Sequence, residues 1–217
     1  MSDAMLARLY QALLDTIAMV GISASIALLA GIPIALVLVL SAPDGIVSAP
    51  RTHRLVAALI NGFRATPFIV LLVALLPLTR LITGTTIGVF AAVVPLAISA
   101  TPFFARIAEV SLREVDSGLV EAAQAIGCRR RHIIRHVLLP EALPGLVGGF
   151  TITVVTMIGA SAMAGAVGAG GLGDLAIRYG YQRFDTTVMA VVIVVLIALV
   201  CLVQFAGDRA VRRLRAR

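Results

Sequence analysis

The chain has 217 residues, of which 60% are hydrophobic and 13% charged, with a mean hydropathy of +1.04; soluble domains carry about a quarter charged residues. That balance excludes a soluble globular domain and leaves a bilayer protein with room for several spans and little for a separate soluble domain. The formal charge of +7 is the balance of 18 Arg, with no Lys, against 11 Asp and Glu, and the charges fall between apolar runs rather than around aromatic platforms, which argues against nucleic-acid binding.

Runs free of Asp, Glu, Lys and Arg extend over Thr16 to Ala42, Ala65 to Thr79, Leu81 to Ala105, Ala142 to Gly173 and Thr186 to Gly207. Each is near or above the length needed to cross a bilayer, so an all-α membrane protein with five transmembrane helices is expected. The first run is much longer than the h-region of a signal peptide and lacks a basic n-region, so it is expected to stay in the mature protein. The second is short, and Leu55 to Phe63 extends it backwards at the cost of placing Arg64 near one end, where it can snorkel to the interface.

Alternating loops then hold Arg8, Arg80, Arg178 and Arg183 on one side and the other fourteen Arg on the opposite side. This asymmetry places the N-terminus in the periplasm and the C-terminus in the cytoplasm, with the loops around 43 to 64 and 106 to 141 also cytoplasmic. One membrane domain over 13–207 is expected, followed by a basic cytoplasmic tail over 208–217. Cys128 and Cys201 lie far apart in different settings, so no disulfide or CxxC site is expected.

Pro33, Pro67, Pro77, Pro95 and Pro102 fall in or near spans. Gly84-xxx-Gly88, Gly145-xxx-Gly149 and Ser161-xxx-Gly165 set small residues one helical turn apart, the spacing that lets helix backbones approach closely within a bundle. Met163, a flexible apolar side chain among small residues late in the fourth run, is a candidate pore gate together with Ser161.

The long polar loop after the third run holds the most specific signal. Asp116-Ser117-Gly118 reads as a helix start, Leu119 to Ile126 as a short helix, and Gly127 as its stop. Three alanines expose little side chain, so another protein can approach closely, while Val120, Ala123 and Ile126 offer an apolar face.

Glu121-Ala122-Ala123-xxx-Gly127, followed after nine residues by Val137-x-Leu139-Pro140, resembles the EAA loop of type I ABC importer permeases, with Val137 where that family usually has Ile. Phe63-Arg64-Ala65-Thr66-Pro67-Phe68, Leu138 to Val147, Ser161 to Gly173 and Gln204 to Arg209 are similar to the permeases of bacterial methionine importers, and the similarity runs over nearly the whole chain. The resemblance implies the type I permease fold in the bacterial inner membrane, and a coupling helix that sits in a cleft of an ATPase. It assigns coupling to Glu121, Ala122, Ala123, Ala125, Ile126, Gly127, Leu139 and Pro140. The partners expected are two copies of an ABC ATPase, a second copy of this chain, a periplasmic or lipoprotein methionine-binding protein, and membrane lipid. The reading is a transport subunit, not an enzyme. A chain without Lys cannot carry a P-loop, so ATP and magnesium belong to the partner, and no cofactor is expected here.

Competing readings are weaker. A permease for another small amino acid remains open, because the spans hold no dense charged site and a zwitterion with an apolar side chain is compatible. An ion-coupled secondary transporter would normally show intramembrane acids or an inverted repeat, and neither is evident. An intramembrane protease lacks HExxH and any Ser/His pair within spans. Gly168-Ala169-Gly170-Gly171-Leu172-Gly173 satisfies GxGxxG but ends a membrane run instead of opening a βαβ unit, so a tight turn near an external gate is expected. Cys128, His132 and His136 share a helical spacing, yet the surrounding Arg residues would repel a metal cation.

Overall fold

The structure, a computed structural model, describes residues 3–43 and 45–216. Charge-free apolar runs satisfy their backbone polar groups internally only as helices, and helices make up the fold throughout, with no strand among the described residues. Four are long and apolar enough to cross a membrane: α1 (Asp3–Leu40), α5 (Val89–Arg113), the continuous segment Arg130–Gly165, and α10 (Thr186–Arg215). The segment Arg130–Gly165 comprises α7 (Arg130–Ile133), a π-helical turn (Ile134–Leu138) and α8 (Leu139–Gly165).

The second apolar run departs from the straight span expected of it. It forms α2 (Pro50–Ala65) and α3 (Phe68–Ala74), which meet at 103° and count as one broken span only if taken together. The cause is local. Pro67 disfavours helical geometry at the residue before it, and Thr66 sits extended at φ −81°, ψ 124°. Short α4 (Leu76–Thr83) follows and is closed by Gly84 at φ +76°. Gly84 and Gly88, expected to be a helix-packing pair, instead lie in the turn between α4 and α5, both at positive φ with open space where a Cβ would stand. They serve chain reversal, for which glycine carries no steric penalty.

The core is built on α5. It lies between α1 and α8, and α10 packs on the far side of α8. Met19, Val20 and Ala24 of α1 share one buried cluster with Ala92, Val93 and Leu96 of α5 and with Met157 and Ile158 of α8. A second cluster joins Ala35 to Phe104, Ala108, Leu112, Leu138, Ala142 and Leu146. These pairings make α1 parallel to α5 and α8 antiparallel to both. Close approach depends on small residues. A Cβ at Gly31 would stand 2.7 Å from the Phe104 ring, and one at Gly145 would stand 2.8 Å from Ser111 Oγ. The Gly145 and Gly149 spacing is therefore the seam of α8 on α5. In α10 only 11% of the apolar window is buried, against 56% in α5, so α10 forms the outer flank. The basic residues 208–215 continue α10 as its last turns.

At the Arg-poor end, α9 (Gly171–Leu175) and a π-helical turn (Ala176–Tyr181) fold back on α1 and α10. Thr16 Oγ1 accepts a 2.9 Å hydrogen bond from Leu172 N, and Gly88 N donates to Gly168 O at 3.0 Å. The GxGxxG run is thus a turn pressed against neighbouring backbone. Gly171, at φ +77°, leaves no room for a Cβ, which would stand 2.7 Å from Thr16 Oγ1.

Candidate functional site

At the Arg-rich end the loop between α5 and α7 forms α6 (Ser117–Ala125), with the local signals acting as read. Asp116 Oδ1 accepts from Gly118 N at 2.8 Å and caps the start. Gly127, at φ +78°, closes the other end: its N–H bonds Gln124 O at 2.9 Å, and the Cys128 N–H bonds Ala123 O at 3.0 Å. That pair of bonds is the Schellman arrangement, which needs a left-handed residue at the Gly127 position.

The motif residues divide by face. Glu121, Ala122, Ala125, Ile126, Gly127 and Pro140 are exposed, Ile126 at 81%. Ala123 is buried, and Val120 and Leu139 pack against the cluster around Phe104 and Leu112. Ile126 accordingly does not share the inward apolar face of Val120 and Ala123; it points away from the bundle with Ala122 and Ala125. A capped helix that offers small side chains, one carboxylate and one large apolar tip suits docking into another protein's cleft. A cleft of about 590 Å³ lies behind it, lined by Leu40 and Ile46 from the end of α1 and its loop, Leu112 and Arg113 of α5, and Val120 and Glu121 of α6.

Beneath the cleft is a feature that the sequence did not announce. Glu109 is buried at 1% and accepts from Arg106 at 2.6 Å and Arg113 at 2.9 Å, one turn of α5 on either side. Its neighbours in sequence read as loop charges, because the apolar run stops at Ala105 while α5 continues two more turns into the packed end of the bundle. The only available signal was the i, i+3 and i, i+4 spacing of the two Arg around one Glu.

On α8 the structure separates the two gate candidates. Met163 is 45% exposed, on a stripe with Ile152, Thr156 and Gly159 that recurs at helical spacing. Ser161 is buried and donates its hydroxyl to Ile158 O at 2.7 Å. Cys128 lies in the turn before α7, off the helix that carries His132 and His136, whose rings stack at 5.9 Å. No group of three metal-binding side chains converges among the described residues.

The architecture is that of a polytopic helical membrane protein that carries a short, capped and largely exposed helix outside one end of its bundle. Residues 27–216 match the family described as binding-protein-dependent transport system inner membrane component, and the chain belongs to that family. It is 49% identical to the probable D-methionine transport system permease protein MetI of Vibrio cholerae, covering 98% of this chain and 93% of that protein. It is 48% identical to the D-methionine transport system permease protein MetI of Escherichia coli K12, covering 98% of each. A chain of the MetNI methionine ABC transporter, solved in inward-facing conformations, superposes with a TM-score of 0.97 at 48% identity over 99% of both chains. An amino acid ABC transporter crystallised with histidines shares the fold, at a TM-score of 0.80 and 21% identity, covering 97% of this chain and 95% of that one.

Proposed function

We propose that the chain is the permease subunit of an ATP-driven methionine importer, working as a dimer with two copies of a separate ATPase. The observation that carries this is the superposition on the MetNI chain over 99% of both chains at 48% identity. The bent α2–α3 pair counts as the remaining one of five spans, and the Arg-rich end faces the cytoplasm, as the loop asymmetry favours. Glu121, Ala122, Ala125, Ile126, Gly127 and Pro140 meet the ATPase, while Ala123 and Leu139 anchor their helices to the bundle. A periplasmic methionine-binding protein delivers substrate at the end formed by α9 and the Gly168 to Gly173 turn. ATP and magnesium reside on the ATPase, and this chain holds no cofactor.

The test is reconstitution of the chain with its ATPase and binding protein in vesicles. Labelled L-methionine uptake that requires ATP and stops with orthovanadate is expected; vanadate-insensitive uptake by the chain alone would favour ion-coupled transport instead.

In this reading the exposed Met163 residues of two copies meet near the outer end of the pathway and close it at rest, with Ser161 shaping that turn of α8 from behind. Cysteine substituted at position 163, in a background without Cys128 and Cys201, is expected to crosslink across the dimer in the absence of nucleotide and lose that crosslink with the ATPase trapped closed. Both native cysteines are exposed, so their removal is needed for a clean reading. A monomeric band under oxidation would place Met163 at the periphery.

A further inference from the structure

Of the few arginines at the Arg-poor end, two converge on one aromatic ring: Arg8 from α1 and Arg183 from the turn before α10. The guanidinium carbon of Arg8 lies 5.2 Å from the centroid of the Tyr179 ring and that of Arg183 lies 4.5 Å from it, both within cation–π range. Arg8 also donates from Nη1 to Tyr179 Oη. The ring is a fixed platform. It packs on the buried cluster that contains Ala12, Leu172 and Val188, and Tyr179 O accepts from Asp185 N at 3.2 Å, which ties the Arg183 turn to it.

Two guanidinium carbons around one centroid stand at most about 10 Å apart and repel each other. No acid relieves that repulsion: the ion pairs among the described residues use Arg106, Arg113 and Arg178, and neither Arg8 nor Arg183 enters one. Carboxylates of the same end are engaged elsewhere. Asp15 accepts from Gln11 at 2.8 Å, Asp174 from Arg178 at 2.7 Å, and Asp185 from Val188 N at 3.1 Å as the cap of α10. Both arginines are exposed, so their donors are open to whatever surrounds the bundle. Two such forks on a common support suit a phosphate group.

The surroundings at this level are the membrane boundary. The chain has three tyrosines and no tryptophan. All three, Tyr10, Tyr179 and Tyr181, lie at this end, joined by Phe184, which is exposed directly after Arg183. Tyrosines of membrane proteins concentrate at headgroup level. Beside them α1 exposes Leu6, Leu14 and Ile17, and α10 exposes Ile193, Val194 and Ile197. That apolar surface suits acyl chains and offers nothing to a soluble anion.

We propose that Arg8, Tyr179 and Arg183 form a headgroup site for an anionic phospholipid, with the phosphodiester between the two guanidiniums and the acyl chains along the exposed faces of α1 and α10. Two unpaired cations outnumber the single charge of a phosphodiester, so a headgroup bearing its own ammonium adds to a surplus of positive charge and a glycerol headgroup does not. The bound lipid ties the start of α1 to the turn that begins α10.

The same tyrosines supply the readout, because their fluorescence reports this end alone. The full chain in detergent micelles is titrated with phosphatidylglycerol or with phosphatidylcholine, each carrying a doxyl quencher high on one acyl chain. Wild type is expected to reach half-maximal quenching at a mole fraction of phosphatidylglycerol about tenfold below that of phosphatidylcholine, and R8Q/R183Q to bring the two within about twofold. R8K/R183K keeps both charges and is expected to retain a preference of about threefold or more. A wild-type chain without preference, an unchanged preference in R8Q/R183Q, or a preference in R8K/R183K no greater than in R8Q/R183Q overturns the site. Reversal of the phosphatidylglycerol quenching by inorganic phosphate, and not by chloride at the same ionic strength, makes it a site for a free anion and overturns the lipid assignment. An unchanged lipid preference in R8Q/R183Q together with weaker capture of the binding protein overturns it in favour of a protein-docking surface.

Discussion

Substituting Gly127→Val is expected to abolish coupled uptake, by about tenfold or more, while the assembled complex continues to hydrolyse ATP. Apart from its own chain neighbours, nothing stands within 4 Å of a Cβ built on Gly127, so crowding is not the reason. The reason is backbone conformation. A β-branched residue at φ +78° pays about 1–2 kcal/mol, and relief by rotation breaks the bonds from the Gly127 and Cys128 amides that close α6. The helix end that carries exposed Ile126, proposed above to meet the ATPase, then loses its fixed direction. Gly127→Asn separates conformation from bulk, since asparagine tolerates the left-handed region; it is expected to retain more uptake than Gly127→Val. Uptake by Gly127→Val at the wild-type level would remove α6 from the coupling role.

Removing both arginines that flank Glu109, as R106M/R113M, is expected to destabilise the chain by about 3–5 kcal/mol, the usual consequence of leaving a buried charge without its partner. The asymmetry comes from exposure. The two Arg side chains are 39% and 46% exposed and can turn to water, whereas the carboxylate at 2% cannot. Adding E109M to the pair removes the stranded charge, and the triple variant is expected to melt closer to wild type than the double variant. Thermal unfolding of the detergent-purified protein reads the comparison. A double variant that melts with the wild type would mean that water or a neighbouring group satisfies Glu109.

Hydropathy alone recovered α1, α5, α8 and α10, because a run without charges has no alternative in a bilayer but to close its own hydrogen bonds. It failed where geometry turns on one or two residues. Summed apolarity cannot register the 103° bend that Thr66 and Pro67 impose, so the straightness of the second span was misjudged. The run from Leu81 likewise appeared continuous, although Gly84 and Gly88 divide it at positive φ. Helix α6 was readable because Asp116 and Gly127 act on their immediate neighbours. Burial of Glu109, inward rotation of Ser161 and the close packing of Gly171 on Thr16 are long-range facts, decided by which helices come together.

The segment Arg130–Gly165 is one uninterrupted helical body of 36 residues, with the π turn near one end and Met163 near the other. From Leu139 to Met163 it rises about 36 Å. Such a rod is a lever, and a tilt of about 5° imposed at its Leu139 end carries the far end through about 3 Å. Two rods tilting oppositely about a two-fold axis change the separation of their tips by about 6 Å, with every internal backbone hydrogen bond intact. On the importer reading proposed above, an aperture at the Met163 end would open without a relay of side chains along the rod.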